Sequence, residues 1–172
     1  MIKIEDFLQL KAFARQDGAL LALLWTVSFA ATVYLPASGL GNLLAIATPF
    51  FVGWRLCAFR NYALGGAISF RRSYCYCVYT FAYAAMIFAI VQYLYFMFLD
   101  HGAFFAMLNA SAEAIEQVYR QSGIPTAELK STLALMQELS PINWAFIFMM
   151  QNVLAGVVAG VPIAAMCRRT MR

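Results

Sequence analysis

Charged side chains are scarce in this sequence. Only 12% of its 172 residues are Asp, Glu, Lys or Arg, while 63% are hydrophobic. A soluble domain carries roughly a quarter charged and about half apolar residues. A fold of this size has too little interior to hide such an excess, so the folded chain needs lipid around it, in keeping with a mean hydropathy of +0.72. The few charges form no basic stripe and accompany no aromatic-plus-basic motif. The formal net charge of +4 therefore does not point to nucleic acid.

Reaction machinery is missing as well. The one histidine, His101, stands beside Asp100 with no nucleophile in view, which suits a solvated interfacial residue. The chain has no paired buried acids, no His-Glu metal motif and no activated serine or cysteine constellation. Its four cysteines are Cys57, Cys75, Cys77 and Cys167. Cys75-Tyr76-Cys77 lacks the two-residue gap usual for metal ligands, and no histidine lies near. No catalytic residue, metal or cofactor is expected.

Four long apolar runs remain. They cover about residues 19–35, 40–59, 74–99 and 142–167, each near the ~20 residues that cross a ~30 Å hydrocarbon core. Barrel strands would be half as long and would alternate. The leader before the first run mixes Glu5, Asp6 and Asp17 with Lys3, Lys11 and Arg15, unlike the purely basic start of a secretory signal, so that run is expected to be a retained span. The whole of residues 1–172 is expected to be one all-α membrane domain with four transmembrane helices and an outer loop over 100–141.

Charge placement orients the bundle. Ten of the twelve Lys and Arg residues fall in the leader, at or between spans two and three, or in the tail. The positive-inside rule puts that side, and both termini, in the cytoplasm. The cysteines lie near the same side, where thiols stay reduced. Tyr34, Trp54, Tyr93, Tyr95 and Trp144 suit interfacial belts.

The outer loop predicts a helical hairpin. One arm spans roughly 104–121, with Met107, Leu108, Ile115, Val118 and Tyr119 on one face, and it stops at Ser122-Gly123-Ile124-Pro125. The second spans about 126–139, with Leu129, Leu133 and Met136 on a stripe. On the opposite side, Arg55, Arg60, Arg71 and Arg72 flank a Gly65-Gly66 elbow. The plain reading is a topological anchor; the sharper one is a phosphate or anionic-headgroup site, since guanidinium suits phosphate well.

Polar residues at membrane depth are costly and often functional. Gln92 in span three and Gln151-Asn152 in span four are placed to bond across a helix interface or to line a polar path. Gly156 and Gly160 make a small-xxx-small spacing that permits close helix approach or dimerisation, with Pro162 just beyond. Thr48-Pro49 in span two suggests a kink.

Several stretches carry a resemblance. They are Phe13-Ala14-Arg15-Gln16-Asp17-Gly18, Thr48-Pro49-Phe50-Phe51-Val52-Gly53-Trp54-Arg55 leading into Gly65-Gly66-Ala67-Ile68-Ser69-Phe70, Gln92-Tyr93-Leu94-Tyr95-Phe96 and Phe148-Met149-Met150-Gln151-Asn152. Together they resemble the bacterial membrane family catalogued as domain of unknown function 4199, over nearly the whole chain. The resemblance implies a small four-span inner-membrane protein of Gram-negative bacteria and brings no catalytic residues. It also implies a candidate partner, a membrane-associated glycosyltransferase acting on a polyprenyl phosphate. Three functions compete: an accessory or scaffold subunit for such an enzyme, a carrier or flippase for an anionic or polyprenyl-linked lipid, and, lowest, a membrane enzyme.

Overall fold

The structure is a computed structural model that describes residues 4–122, 131–132, 134–136 and 138–169. Among these the chain forms five long helices, α1 (Ile4–Tyr34), α2 (Leu40–Ala63), α3 (Phe70–Phe98), α4 (Ala103–Gln121) and α5 (Pro141–Cys167). A short 3-10 turn, Pro36–Ser38, joins α1 to α2. No strand occurs among the described residues beyond one isolated antiparallel bridge, Ile68 with Arg169. Helices α1, α2, α3 and α5 are each long and apolar enough to cross a membrane. The protein is an all-α multi-pass membrane protein.

The helix ends follow local chemistry rather than the limits of the apolar runs. The charged leader is continuous with the first span because no proline interrupts it, and Glu5 and Asp6 occupy its first turn, where carboxylates suit the positive end of a helix. At 31 residues and 1.5 Å each, α1 is about 46 Å long, well beyond the hydrocarbon core. Helix α3 begins four residues before its apolar run, with the Ser69 hydroxyl accepting the Arg72 N–H at 3.4 Å. This is ordinary N-capping.

Lipid tails are as apolar as leucine, so helix association here depends on close packing and interhelical hydrogen bonds. Helix α3 is central: it packs along α5 and α1, whereas α2 leans mainly on α1 and meets α5 only slightly. Gly18 shows how tight the α1–α3 contact is. A Cβ there would stand 2.7 Å from Tyr83 Cβ and 2.9 Å from the Thr80 carbonyl oxygen. Leu10, Leu21, Val52, Leu56, Tyr76 and Ala84 are wholly buried between these helices.

At the end near the α1–α2 turn, called the far end below, the chain folds back through His101 and Gly102, whose φ angles are +21° and +87°. Asp100 Oδ1 accepts the Phe104 N–H at 2.8 Å and the Tyr95 hydroxyl at 3.0 Å, which starts α4. Phe104 then enters an aromatic cluster with Tyr95, Trp144, Phe96 and Phe148. Tyr95 and Trp144, expected in interfacial belts, are only 6% and 5% exposed, because Phe29 and Phe96 pack on Tyr95 and Phe104 and Phe105 of α4 pack on Trp144. Helix α4 is the first arm of the expected hairpin. Of the second arm, residues 131–132 and 134–136 are helical; 126–130, and the stop at 123–125, lie outside the described residues.

Candidate functional site

The opposite end carries most of the arginines, and the four singled out from sequence occupy four different surroundings. Arg55, on α2, points into the bundle. Its Nη2 and Nε lie 2.5 Å and 2.6 Å from Asp17 Oδ1 on α1. The Tyr76 hydroxyl on α3 donates to the other carboxylate oxygen, so Asp17, only 1% exposed, ties three helices together. Arg60 Nη1 donates to the Cys167 carbonyl at 2.8 Å, satisfying one of the open acceptors at the end of α5. Arg72 Nη2 lies 3.6 Å from Asp6 Oδ1, and its guanidinium stands 6.0 Å from the Phe59 ring. Arg71 is exposed. The bridge between Ile68 and Arg169 binds the elbow to the segment after α5.

Asp17 and Tyr76 were not among the residues singled out from sequence. The signal was present in the depths. Asp17 is 17 residues from the end of α1 at Tyr34, and Arg55 is 15 residues from the start of α2 at Leu40, which places them about 26 and 23 Å from the same turn. Opposite charges at matched depth on two helices joined by a short turn are natural partners, since intramembrane charges face the bundle and pair.

The second feature lies in the other half of the bundle. A cavity of about 500 Å³ lies among α1, α2, α3 and α5, with Phe104 and Met107 of α4 at its far end. Its walls are aromatic and aliphatic, including Trp25, Phe29, Phe81, Phe88 and Phe148. Ala45 and Pro49 on α2, and Gln151 and Ala155 on α5, line it and are exposed. The cavity is therefore a cleft whose mouth lies between α2 and α5. Pro49 has no N–H to offer the Ala45 carbonyl, which leaves that acceptor without its usual helical donor at the mouth.

All three intramembrane amides chosen from sequence line this cleft: Gln92 from α3, Gln151 and Asn152 from α5. Among the described residues no hydrogen bond joins them. Gln92 is 1% exposed, and its Oε1 is buried with no partner. Of the other polar groups lining it, Ser28 Oγ donates to Gly41 O at 2.8 Å, Thr32 Oγ1 to Ser28 O at 2.9 Å, and Trp25 Nε1 to Thr48 Oγ1 at 3.0 Å. Outside its lining, Ser73 Oγ, Thr80 Oγ1 and Trp144 Nε1 are likewise buried without a partner among the described residues. Gly156 and Gly160 lie on the buried face of α5 against α3. A Cβ at Gly156 would collide with Cβ and Cγ of Phe81, and one at Gly160 would come 3.2 Å from Cys77 Cβ. Their small-residue face is thus used within the chain.

The four thiols are free, and Cys57 Sγ lies 3.3 Å from Cys167 Sγ. Among the described residues no group of three or more His, Cys, Asp or Glu is placed to hold a metal ion. Concave sites of this size, apolar with a few polar groups, are typical ligand sites. No curated protein and no solved structure matches the chain. One family model does, over residues 16–169, a stretch that includes both the Asp17–Arg55–Tyr76 network and the whole cleft. The chain belongs to the family described as Protein of unknown function (DUF4199).

Proposed function

We propose that this protein binds, and carries, a membrane lipid whose apolar chain occupies the cleft between α2 and α5. One observation carries the reading: an apolar cavity of about 500 Å³ open at the surface of the helix bundle and lined in part by Gln92, whose buried amide oxygen has no partner. Such a space suits a chain that enters sideways from the bilayer. With the arginine-rich end in the cytoplasm of an inner membrane, as the positive-inside rule favours, the cleft lies in the leaflet away from it. Exposed Arg71 is then at the cytoplasmic rim with exposed Arg15, Arg168 and Arg169, where these guanidiniums suit the headgroups of the surrounding anionic bilayer rather than the ligand of the cleft.

A photoactivatable lipid chain tests the occupancy. In membranes, the probe is expected to label wild type at cleft residues, and Ala155→Trp, which fills the mouth, is expected to cut labelling at least about fivefold. Leu154→Trp, on the lipid-facing side at 65% exposure, should label like wild type. Equal labelling of all three would remove the cleft reading.

A second reading is favoured by a different surface. Leu43, Ile46, Phe50 and Trp54 form a stripe on α2 and are 65, 66, 74 and 64% exposed. They could seat a helix of a partner, with the membrane glycosyltransferase implied by the family resemblance as the candidate and this chain as its accessory subunit. The same purified sample decides between the two. A stoichiometric membrane enzyme retained through mild detergent favours the accessory role, whereas retained lipid without protein partner favours the carrier.

A further inference from the structure

The shape of the cleft says that a chain fits; its polar atoms say what the end of that chain must be. We propose that the cleft recognises the hydroxyl group of an uncharged, single-chain lipid alcohol and discriminates against the corresponding phosphate. This rests on the cleft-binding reading above and specifies its ligand.

The first ground is charge. None of the residues lining the cleft is Asp, Glu, Lys, Arg or His. The nearest buried charge, Asp100, is a carboxylate held by the Tyr95 hydroxyl and the Phe104 N–H and would repel a phosphate. The nearest cation of a built network, Arg55 with Asp17 and Tyr76, lies at the other end. Gln92 is 16 residues along α3 from Tyr76, about 24 Å at 1.5 Å per residue. Arg55 is also already engaged by Asp17. A phosphate buried in the cleft would therefore have lost its water without gaining a counter-charge, a heavy penalty.

The second ground is the orphan acceptor. Gln92 Oε1 is buried and unpartnered, while the hydroxyls of Ser28 and Thr32 and the indole N–H of Trp25 already have partners. A buried acceptor left unmade is costly, and a ligand that supplies its donor recovers that cost. A hydroxyl donates one proton and keeps lone pairs that accept. It can bond Gln92 Oε1 while accepting from an amide N–H of Gln151 or Asn152, which share the cleft. An ether or hydrocarbon end supplies no donor, and an ammonium end would again bury an unpaired charge.

The test is competition against the photoactivatable probe with three compounds of one chain length: hexadecanol, hexadecyl methyl ether and hexadecyl phosphate. The alcohol is expected to displace the probe at about tenfold lower concentration than the ether, and at least about a hundredfold lower than the phosphate. Gln92→Leu, close to glutamine in volume, is expected to erase the alcohol's advantage over the ether. Displacement by the ether itself should be unchanged in that variant, which also reports that the cleft is still folded.

A phosphate that competes as well as the alcohol overturns the proposal. So does an alcohol advantage that survives in Gln92→Leu. If the ether competes and the alcohol is no better, the hydroxyl recognition fails while the cleft reading stands. If no compound displaces the probe, both fail.

Discussion

Asp17→Ala is expected to cost about 3–5 kcal/mol of bundle stability, the range for stripping one partner from a buried ion pair. Asp17 is 1% exposed and receives both Arg55 and the Tyr76 hydroxyl. Removing its carboxylate strands a guanidinium on α2 and a phenol on α3 at the same moment. The lower part of the range is the better expectation, because the Arg55 side chain is 23% exposed and its guanidinium stands 5.5 Å from the Trp54 ring, so partial solvation softens the loss. Arg55→Ala, which strands the more deeply buried acid, should cost at least as much. The paired replacement Asp17→Leu/Arg55→Leu should recover a good part of the loss, since apolar side chains of similar size often substitute for a buried pair without penalty. Denaturant unfolding in detergent micelles measures the cycle. Single variants within about 0.5 kcal/mol of wild type, or a double variant as damaged as the sum of the singles, would mean the network does not hold the helices together.

Gly156→Ala is expected to be the most damaging small substitution on α5. Its new Cβ would overlap Cγ of Phe81 and also its Cβ, an atom that no rotamer change can move, so the helices themselves must part. Overpacking of this kind costs about 1–3 kcal/mol, and Gly156→Val should exceed it. Gly53→Ala on α2 is the control, because its Cβ would meet only Ile163 at 3.8 Å and Cys167 Sγ at 4.0 Å. With contact distances that comfortable, alanine's helix preference of about 1 kcal/mol over glycine should leave Gly53→Ala neutral or stabilising. Thermal unfolding of the two variants side by side checks the ranking, and a Gly53→Ala more harmful than Gly156→Ala would contradict the α3–α5 packing described above. Phe81 also lines the cleft, so Gly156→Ala should weaken probe labelling as well.

Much of this architecture was legible in the sequence because the bilayer imposes a length and a polarity. Apolar runs, their number and the polar arm at Ala103–Gln121 follow from that alone. The N-terminal half of α1 was hidden by its own charges: Glu5 through Asp17 read as a solvated leader, although nothing in it breaks a helix. The grouping of Arg55 with Arg60, Arg71 and Arg72 came from proximity along the chain, whereas burial separates them. Arg55 lies eight residues inside the end of α2 at Ala63, deep enough to need Asp17. Gln92, Gln151 and Asn152 announced themselves as amides in apolar runs. That they line one cavity depends on how α2 leans away from α5, which no run length encodes.

Helices α2 and α5 are close at the thiol end, where Cys167 Sγ stands 3.3 Å from Cys57 Sγ and 3.6 Å from the Gly53 carbonyl oxygen, and separated at the cleft mouth. Were the mouth to widen, the geometry would make it a scissor movement, with the two sulfurs beside the pivot and Ala45 and Gln151 on the blades. A rivet at the pivot leaves the blades free to swing, but it forbids them to slide past one another. A covalent bond between those two sulfurs would convert a gap that now has two ways to change into one with a single hinged stroke.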